Sequence, residues 1–183
     1  MTTLALAFVP TARAIRWRPV LVVVASLVLV AVLAEATRGP ISAVLAIAAA
    51  GLASTAVAGL HDPADTLLEP LPVTRMQRRL LRLAPLAVSA AAAWWVVTEV
   101  LSPGRHQPVG PLVGLTAVGV AVAVWAPRRR AVVLGAGAPV ALFVLTRVVP
   151  ADTRMAEVAS VWQTHPWWVL LGAVTICWLG RRR

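Results

Sequence analysis

Apolar runs of about twenty residues alternate along this chain with short breaks that collect arginine, proline and glycine. Six such runs can be marked: Pro19–Thr37, Pro40–Leu60, Leu80–Leu101, Pro108–Ala126, Ala131–Val149 and Trp162–Gly180. A hydrocarbon layer roughly 30 Å thick is crossed by about 20 helical residues, or somewhat fewer where flanking arginines snorkel. Apolarity that continues through every position of a run points to helices, because the strands of a membrane barrel alternate residue by residue. The pattern therefore predicts an all-α, polytopic membrane protein with six transmembrane helices, forming one transmembrane domain over residues 1–183.

The breaks carry their own signals. In the loop 61–79, Asp62 and Pro63 read as an N-cap followed by proline at the first helical position, and Asp65 falls in the first turn, where negative charge favours the helix dipole. Pro70 and Pro72 stop this piece after Glu69, leaving a short acidic helix over 63–69 that contains Leu67 and Leu68. Thr74-Arg75-Met76-Gln77 then fits a capping box that opens a second, basic helix leading into the third run. Such a separately capped helix is either a plain hairpin connection or a docking element for a soluble partner. Between the fifth and sixth runs, Asp152 is the expected N-cap of a helix over 152–162. Met155, Val158, Ala159 and Trp162 recur at i, i+3, i+4 and i+7, opposite Arg154 and Glu157. This amphipathic helix is expected to lie in the interface or dip into the bilayer before Pro166, with Trp162, Trp167 and Trp168 as an aromatic belt. The stretch 2–18 reads as an interfacial segment broken at Pro10.

Charge fixes the orientation. All 17 basic residues are arginine, and the net charge is +10. With the amino terminus inside, thirteen arginines fall on the inner side and four, Arg38, Arg105, Arg147 and Arg154, on the outer side. The positive-inside rule then makes both termini cytoplasmic. The arginines sit at the ends of apolar runs and not along a soluble face, so the partner implied is the lipid bilayer and not nucleic acid. A composition 60% hydrophobic and 13% charged, with mean hydropathy +0.83, agrees. The first run followed by Ala34-Glu35-Ala36 also fits a cleaved signal peptide, but it is long enough to span, which favours an uncleaved first helix. The single cysteine, Cys177, excludes an internal disulfide and reads as a packed thiol.

Little catalytic chemistry is visible. No acidic residue falls near the middle of a run, which argues against a proton-coupled carrier, a pump or an ion channel and leaves an apolar or amphiphilic cargo. His61, His106 and His165 share no ligand spacing, so no metal, cofactor or catalytic residue is assigned, and the chain is not read as an enzyme. There is no P-loop, so any ATP hydrolysis belongs to another subunit. Gly51, Thr55 and Gly59, Ala87 and Ala91, and Gly110 and Gly114 stand at small-xxx-small spacing, which suits close helix packing within the chain or along a homodimer seam. Pro139 is expected to kink the fifth helix.

The layout of six spans, cytoplasmic termini, an inner helix between spans two and three and an outer helix between spans five and six resembles the ABC type-2 exporter permeases. The text from His61-Asp62-Pro63-Ala64-Asp65-Thr66-Leu67-Leu68 through Pro72-Val73-Thr74-Arg75 to Arg78-Arg79-Leu80-Leu81-Arg82-Leu83 is similar to small actinobacterial membrane subunits of such transporters. The resemblance implies a multi-pass protein of a bacterial plasma membrane. It implies a coupling helix at 63–69, with Asp62, Pro63, Asp65, Leu67, Leu68, Glu69 and Arg75 docking on a separate cytoplasmic ATP-binding-cassette ATPase subunit. It further implies a re-entrant helix carrying Met155, Val158, Ala159 and Trp162, and a second membrane subunit, identical or paralogous. A membrane scaffold or accessory subunit that does not transport is the rival reading; an intramembrane enzyme ranks last.

Overall fold

The computed structural model describes residues 17–60, 75–105, 107–127 and 130–180. These residues form seven helices and no strand: α1 Trp17–Ala36, α2 Ile41–Ala58, α3 Arg75–Leu101, α4 Gly110–Trp125, α5 Ala131–Val148, α6 Arg154–Thr164 and α7 Pro166–Gly180. The stretch 2–18, apart from its last two residues, and the acidic piece over 63–69 lie outside the described residues.

Proline and local hydrogen bonds set the helix ends. α1 closes as Thr37 donates its N–H to Leu33 O and Gly39 donates to Ala34 O at 2.7 Å; Arg38 between them takes a left-handed conformation with φ 52°. Pro40, which has no N–H to continue α1, then caps α2. α3 opens at Arg75, directly after the expected capping threonine, and is 27 residues long. At 1.5 Å per residue that is about 40 Å, longer than the hydrocarbon is thick, so its basic first turns stand clear of the apolar section Leu81–Leu101.

Four helical segments are long and apolar enough to cross a membrane: Trp17–Ala36, Ile41–Ala58, Leu81–Leu101 and Ala131–Val148. α4 and α7 are as apolar but shorter, at 16 and 15 residues. The sixth run is shorter than its hydropathy suggests because the helix breaks at His165-Pro166, which gives Trp162 to α6 and not to α7. The outward surfaces are apolar as well. Leu21, Val22 and Leu29 on α1, Val133 and Val148 on α5, and Trp167, Trp168 and Trp178 on α7 are all exposed. An apolar exterior of that extent fits a hydrocarbon surround and not water.

α2 is the hub. It packs against α1, α3, α4 and α5, and its buried positions run from Val44 to Val57. On one flank α1 and α3 pack on it and on each other; on the other, α4 and α5 pack on it, with α7 against α4. Among the described residues the backbone of α3 does not come close to that of α4 or α7. Where α2, α4 and α5 cross, two glycines bring backbones into contact. A Cβ on Gly119 would stand 2.8 Å from Gly135 O, and one on Gly135 would stand 2.9 Å from Gly119 O and 2.6 Å from Ala123 Cβ. Pro139 is buried beside this crossing.

The small residues singled out by spacing divide. Gly51 faces Leu27 of α1, Gly59 faces Leu86 of α3, and Gly110 and Gly114 both face Pro166 at the start of α7. Ala87 and Ala91 do not pack within the chain: both are exposed and border a groove. Spacing permits close approach but does not supply a neighbour, and here α4 and α7 stand too far off to be one.

Candidate functional site under the amphipathic helix

α6 joins the end of α5 to the start of α7. Its N-cap is Thr153 and not Asp152: Thr153 Oγ1 accepts from Ala156 N at 3.2 Å while donating to Pro150 O at 2.8 Å. A hydroxyl can do both, whereas a carboxylate could only accept. At the far end His165 donates its N–H to Val161 O, and Pro166 cannot extend the ladder. The helix therefore runs Arg154–Thr164, two residues later than the sequence suggested.

The apolar stripe is split. Ala159 and Trp162 are 2% and 1% exposed, but Met155 and Val158 are 63% and 69% exposed. Only the C-terminal half of α6 is seated in the bundle. Met155, two turns earlier, is exposed, so only one end of the stripe meets protein. Trp162 belongs to the same buried cluster as Trp94 and Val97 of α3, Leu52 of α2 and Leu112 of α4. It is the anchor of α6.

Beside this anchor lies a cavity of about 340 Å³. Ser42, Leu45 and Ala46 at the start of α2 form one wall, and Pro108 and Pro111 at the start of α4 another. Thr146 and Arg147 come from the last turn of α5, Trp94 from α3, and Ser160, Trp162 and Gln163 from α6; Gln107 completes the lining. Among the described residues no carboxylate lines it. Two of the chain's three glutamines do.

Two indole N–H groups, those of Trp94 and Trp162, are buried without an acceptor. A buried donor left unpaired costs about 1–3 kcal/mol, and such groups are uncommon enough that each needs a physical reason. Arg147 is exposed at the rim, with its guanidinium 5.6 Å from the centre of the Phe143 ring. Among the described residues it has no carboxylate partner. The hydroxyls of Thr146 and Ser160 are turned back onto their own helices, donating to Phe143 O at 2.6 Å and Glu157 O at 3.1 Å. The donors left over at the cavity are Arg147, the two glutamine amides and Ser42, while the two indole N–H groups are buried within the packing.

A second depression, about 590 Å³, lies between α3 and the pair α4 and α7, with Ala56 of α2 at its floor. Its walls include Ala87, Ala90 and Ala91 on one side and Leu112, Thr116, Val120, Ala173 and Cys177 on the other. It is apolar nearly throughout. Its upper end on α3, at Ala90 and Ala91, is one helical turn from Trp94 of the polar cavity.

Of the residues expected to dock an ATPase, Asp62, Pro63, Asp65, Leu67, Leu68 and Glu69 lie outside the described residues, and Arg75 is the first residue of α3. Of the outer-helix set, Ala159 and Trp162 are brought into the bundle and Met155 and Val158 are not. Sequence reasoning passed over Trp94, Gln107, Arg147 and Gln163. The available signal was glutamine, rare in this chain and placed at the ends of two apolar runs. No protein-family model, curated protein or solved structure matches the chain.

Proposed function

We propose that this chain is the transmembrane subunit of an ATP-driven exporter of an apolar or amphiphilic substrate. In this reading all six apolar helices cross a bacterial plasma membrane with both termini in the cytoplasm. α4 and α7 manage with 16 and 15 residues because arginines at 128–130 and 181–183 can snorkel and the bilayer can thin. Two such subunits, identical or paralogous, enclose the path, and a cytoplasmic ATPase grips the segment 63–69 on each.

The observation that carries the reading is the seating of α6. A short amphipathic helix between α5 and α7, anchored by a tryptophan 1% exposed, supports the reading because the exporter layout puts a re-entrant helix at that point of the chain. The apolar groove along α3 adds support, since it offers a route for hydrocarbon and, among the described residues, no charged side chain.

The test is the double substitution Asp65→Arg and Glu69→Arg. Reversing both charges is expected to abolish co-purification of the ATPase while membrane insertion stays normal. If the partner still co-purifies and ATP hydrolysis remains coupled, the docking assignment is wrong. A chain that copurifies tightly with another membrane protein, and is indifferent to ATPase inhibition, would be a scaffold instead.

A further inference from the structure

We infer that the apolar groove between α3 and the pair α4 and α7 holds one acyl chain of an anionic phospholipid, whose headgroup lies at the arginine-rich end of the bundle. The groove follows the helix axes. On α4 its lining positions Val109, Leu112, Thr116 and Val120 recur at intervals of three and four, and the same spacing runs from Leu83 to Ala91 on α3 and from Leu170 to Trp178 on α7. From Val109 to Val120 the helical rise is about 17 Å, and from Leu83 to Ala91 about 12 Å. Both are close to half of a hydrocarbon layer roughly 30 Å thick. The α3 wall falls in the first half of the apolar section Leu81–Leu101, so the groove matches one leaflet, the one at the start of α3.

Its lining suits hydrocarbon. Ala90, Leu112 and Ala173 are buried along it, and the one hydroxyl in its wall, Thr116 Oγ1, already donates to Leu112 O at 2.8 Å. Alanines left bare in a bilayer forfeit dispersion contacts that a flexible chain restores.

Charge selects the head. Leu83 near the start of α3 and Val120 near the end of α4 pack on one cluster with Ala56 and Leu86. Gly180 at the end of α7 meets Val124 and Trp125 at the end of α4. These three helix ends therefore lie on one side of the bundle, and the sequence at them holds Arg75, Arg78, Arg79 and Arg82, then arginines at 128–130 and at 181–183. No aspartate or glutamate occurs over 70–98, 100–151 or 158–183. Basic clusters between membrane helices attract anionic headgroups, at about 1 kcal/mol per arginine near the surface. A second copy seated here as a parallel pair would instead bring like charges together.

Lipid binding needs no ATPase, so this inference and the exporter reading fail separately. The full chain, purified in dodecyl maltoside and stripped of lipid, is mixed with phosphatidylglycerol or with phosphatidylcholine of the same acyl chains. The readout is the rate at which a bulky apolar maleimide modifies Cys177, which lines the groove and is the chain's single cysteine. Phosphatidylglycerol is expected to halve that rate at a mole fraction about tenfold lower than phosphatidylcholine does, the attraction of one or two surface arginines. Arg181→Gln with Arg182→Gln and Arg183→Gln is expected to bring the two curves within about threefold, while protection at high lipid persists.

Ala87→Leu with Ala91→Leu fills the groove from exposed positions and keeps every arginine. After gel filtration the unsubstituted protein is expected to retain a phosphatidylglycerol, detected by native mass spectrometry, that the double variant loses. Coincident curves for the two lipids, or a Cys177 rate that neither lipid slows, would overturn the proposal. So would a double variant that retains as much lipid, since the lipid then sits on the basic surface and not in the groove. A rate that falls with protein concentration and not with lipid would put a second copy there in its place.

Discussion

On one side of α4 the helices touch backbone to backbone, and on the other they leave a groove. Against α5 and α2, Gly119 and Gly135 bring carbonyl oxygens to where side chains would otherwise stand. Against α3 the backbones stand apart, and Ala87 and Ala91 border a groove of about 590 Å³. Both seams are built from small residues. In hydrocarbon, packing and not water exclusion holds helices together, so the first seam holds α4 to α5 and α2, and the second leaves a gap between α3 and the pair α4 and α7. Small size closes one seam and keeps the other open.

The contrast can be broken most forcefully at the closed seam. Gly135→Val places carbon 2.6 Å from Ala123 Cβ and 2.9 Å from a backbone oxygen, neither of which can rotate away. A loss of about 3 kcal/mol or more is expected, at the upper end of overpacking costs, measured by unfolding in mixed detergent and dodecyl sulfate micelles. A smaller effect is expected at Gly59, where an added methyl would stand 2.7 Å from Leu86 Cδ1. Leu86 is a side chain that can shift, though only 1% exposed, and the φ of −67° at Gly59 suits alanine, which restricts the unfolded chain. The expected net loss for Gly59→Ala is about 1 kcal/mol, by the same assay. At the open seam Ala91→Leu should cost nothing beyond about 0.5 kcal/mol. It should nonetheless slow the modification of Cys177, the chain's single cysteine, by a bulky apolar maleimide, because both residues line the groove. A large stability loss from Ala91→Leu, or a tolerant Gly135→Val, would erase the distinction between the seams.

The two depressions differ in the same instructive way. The polar cavity and the apolar groove meet α3 within a turn of each other, yet one is lined mostly by helix ends and the other runs along the length of α4. Helix ends are where arginine, glutamine and serine can sit beside the headgroup region. Middles admit only alanine, valine and leucine without penalty. An amphiphile has that same division.

Much of the architecture follows from sequence because the bilayer and proline leave few options. Long apolar runs must be helices, since unpaired backbone groups are intolerable in hydrocarbon, and Pro40 and Pro166 stop a preceding helix by lacking an N–H. That logic placed α1 to α5, the start of α3 at Arg75 and an amphipathic helix before α7. It misjudged the N-cap by one residue and counted Trp162 in the last run as well as in the amphipathic helix where it lies, because hydropathy carries across a break that hydrogen bonding does not. What sequence could not reveal is which side of each helix meets protein. A run that is apolar all round has no periodicity to distinguish lipid from neighbour, so the exposure of Ala87 and Ala91, the contact of Gly119 with Gly135, and the gathering of Trp94, Arg147, Gln107 and Gln163 around one cavity were settled only by how the helices pack.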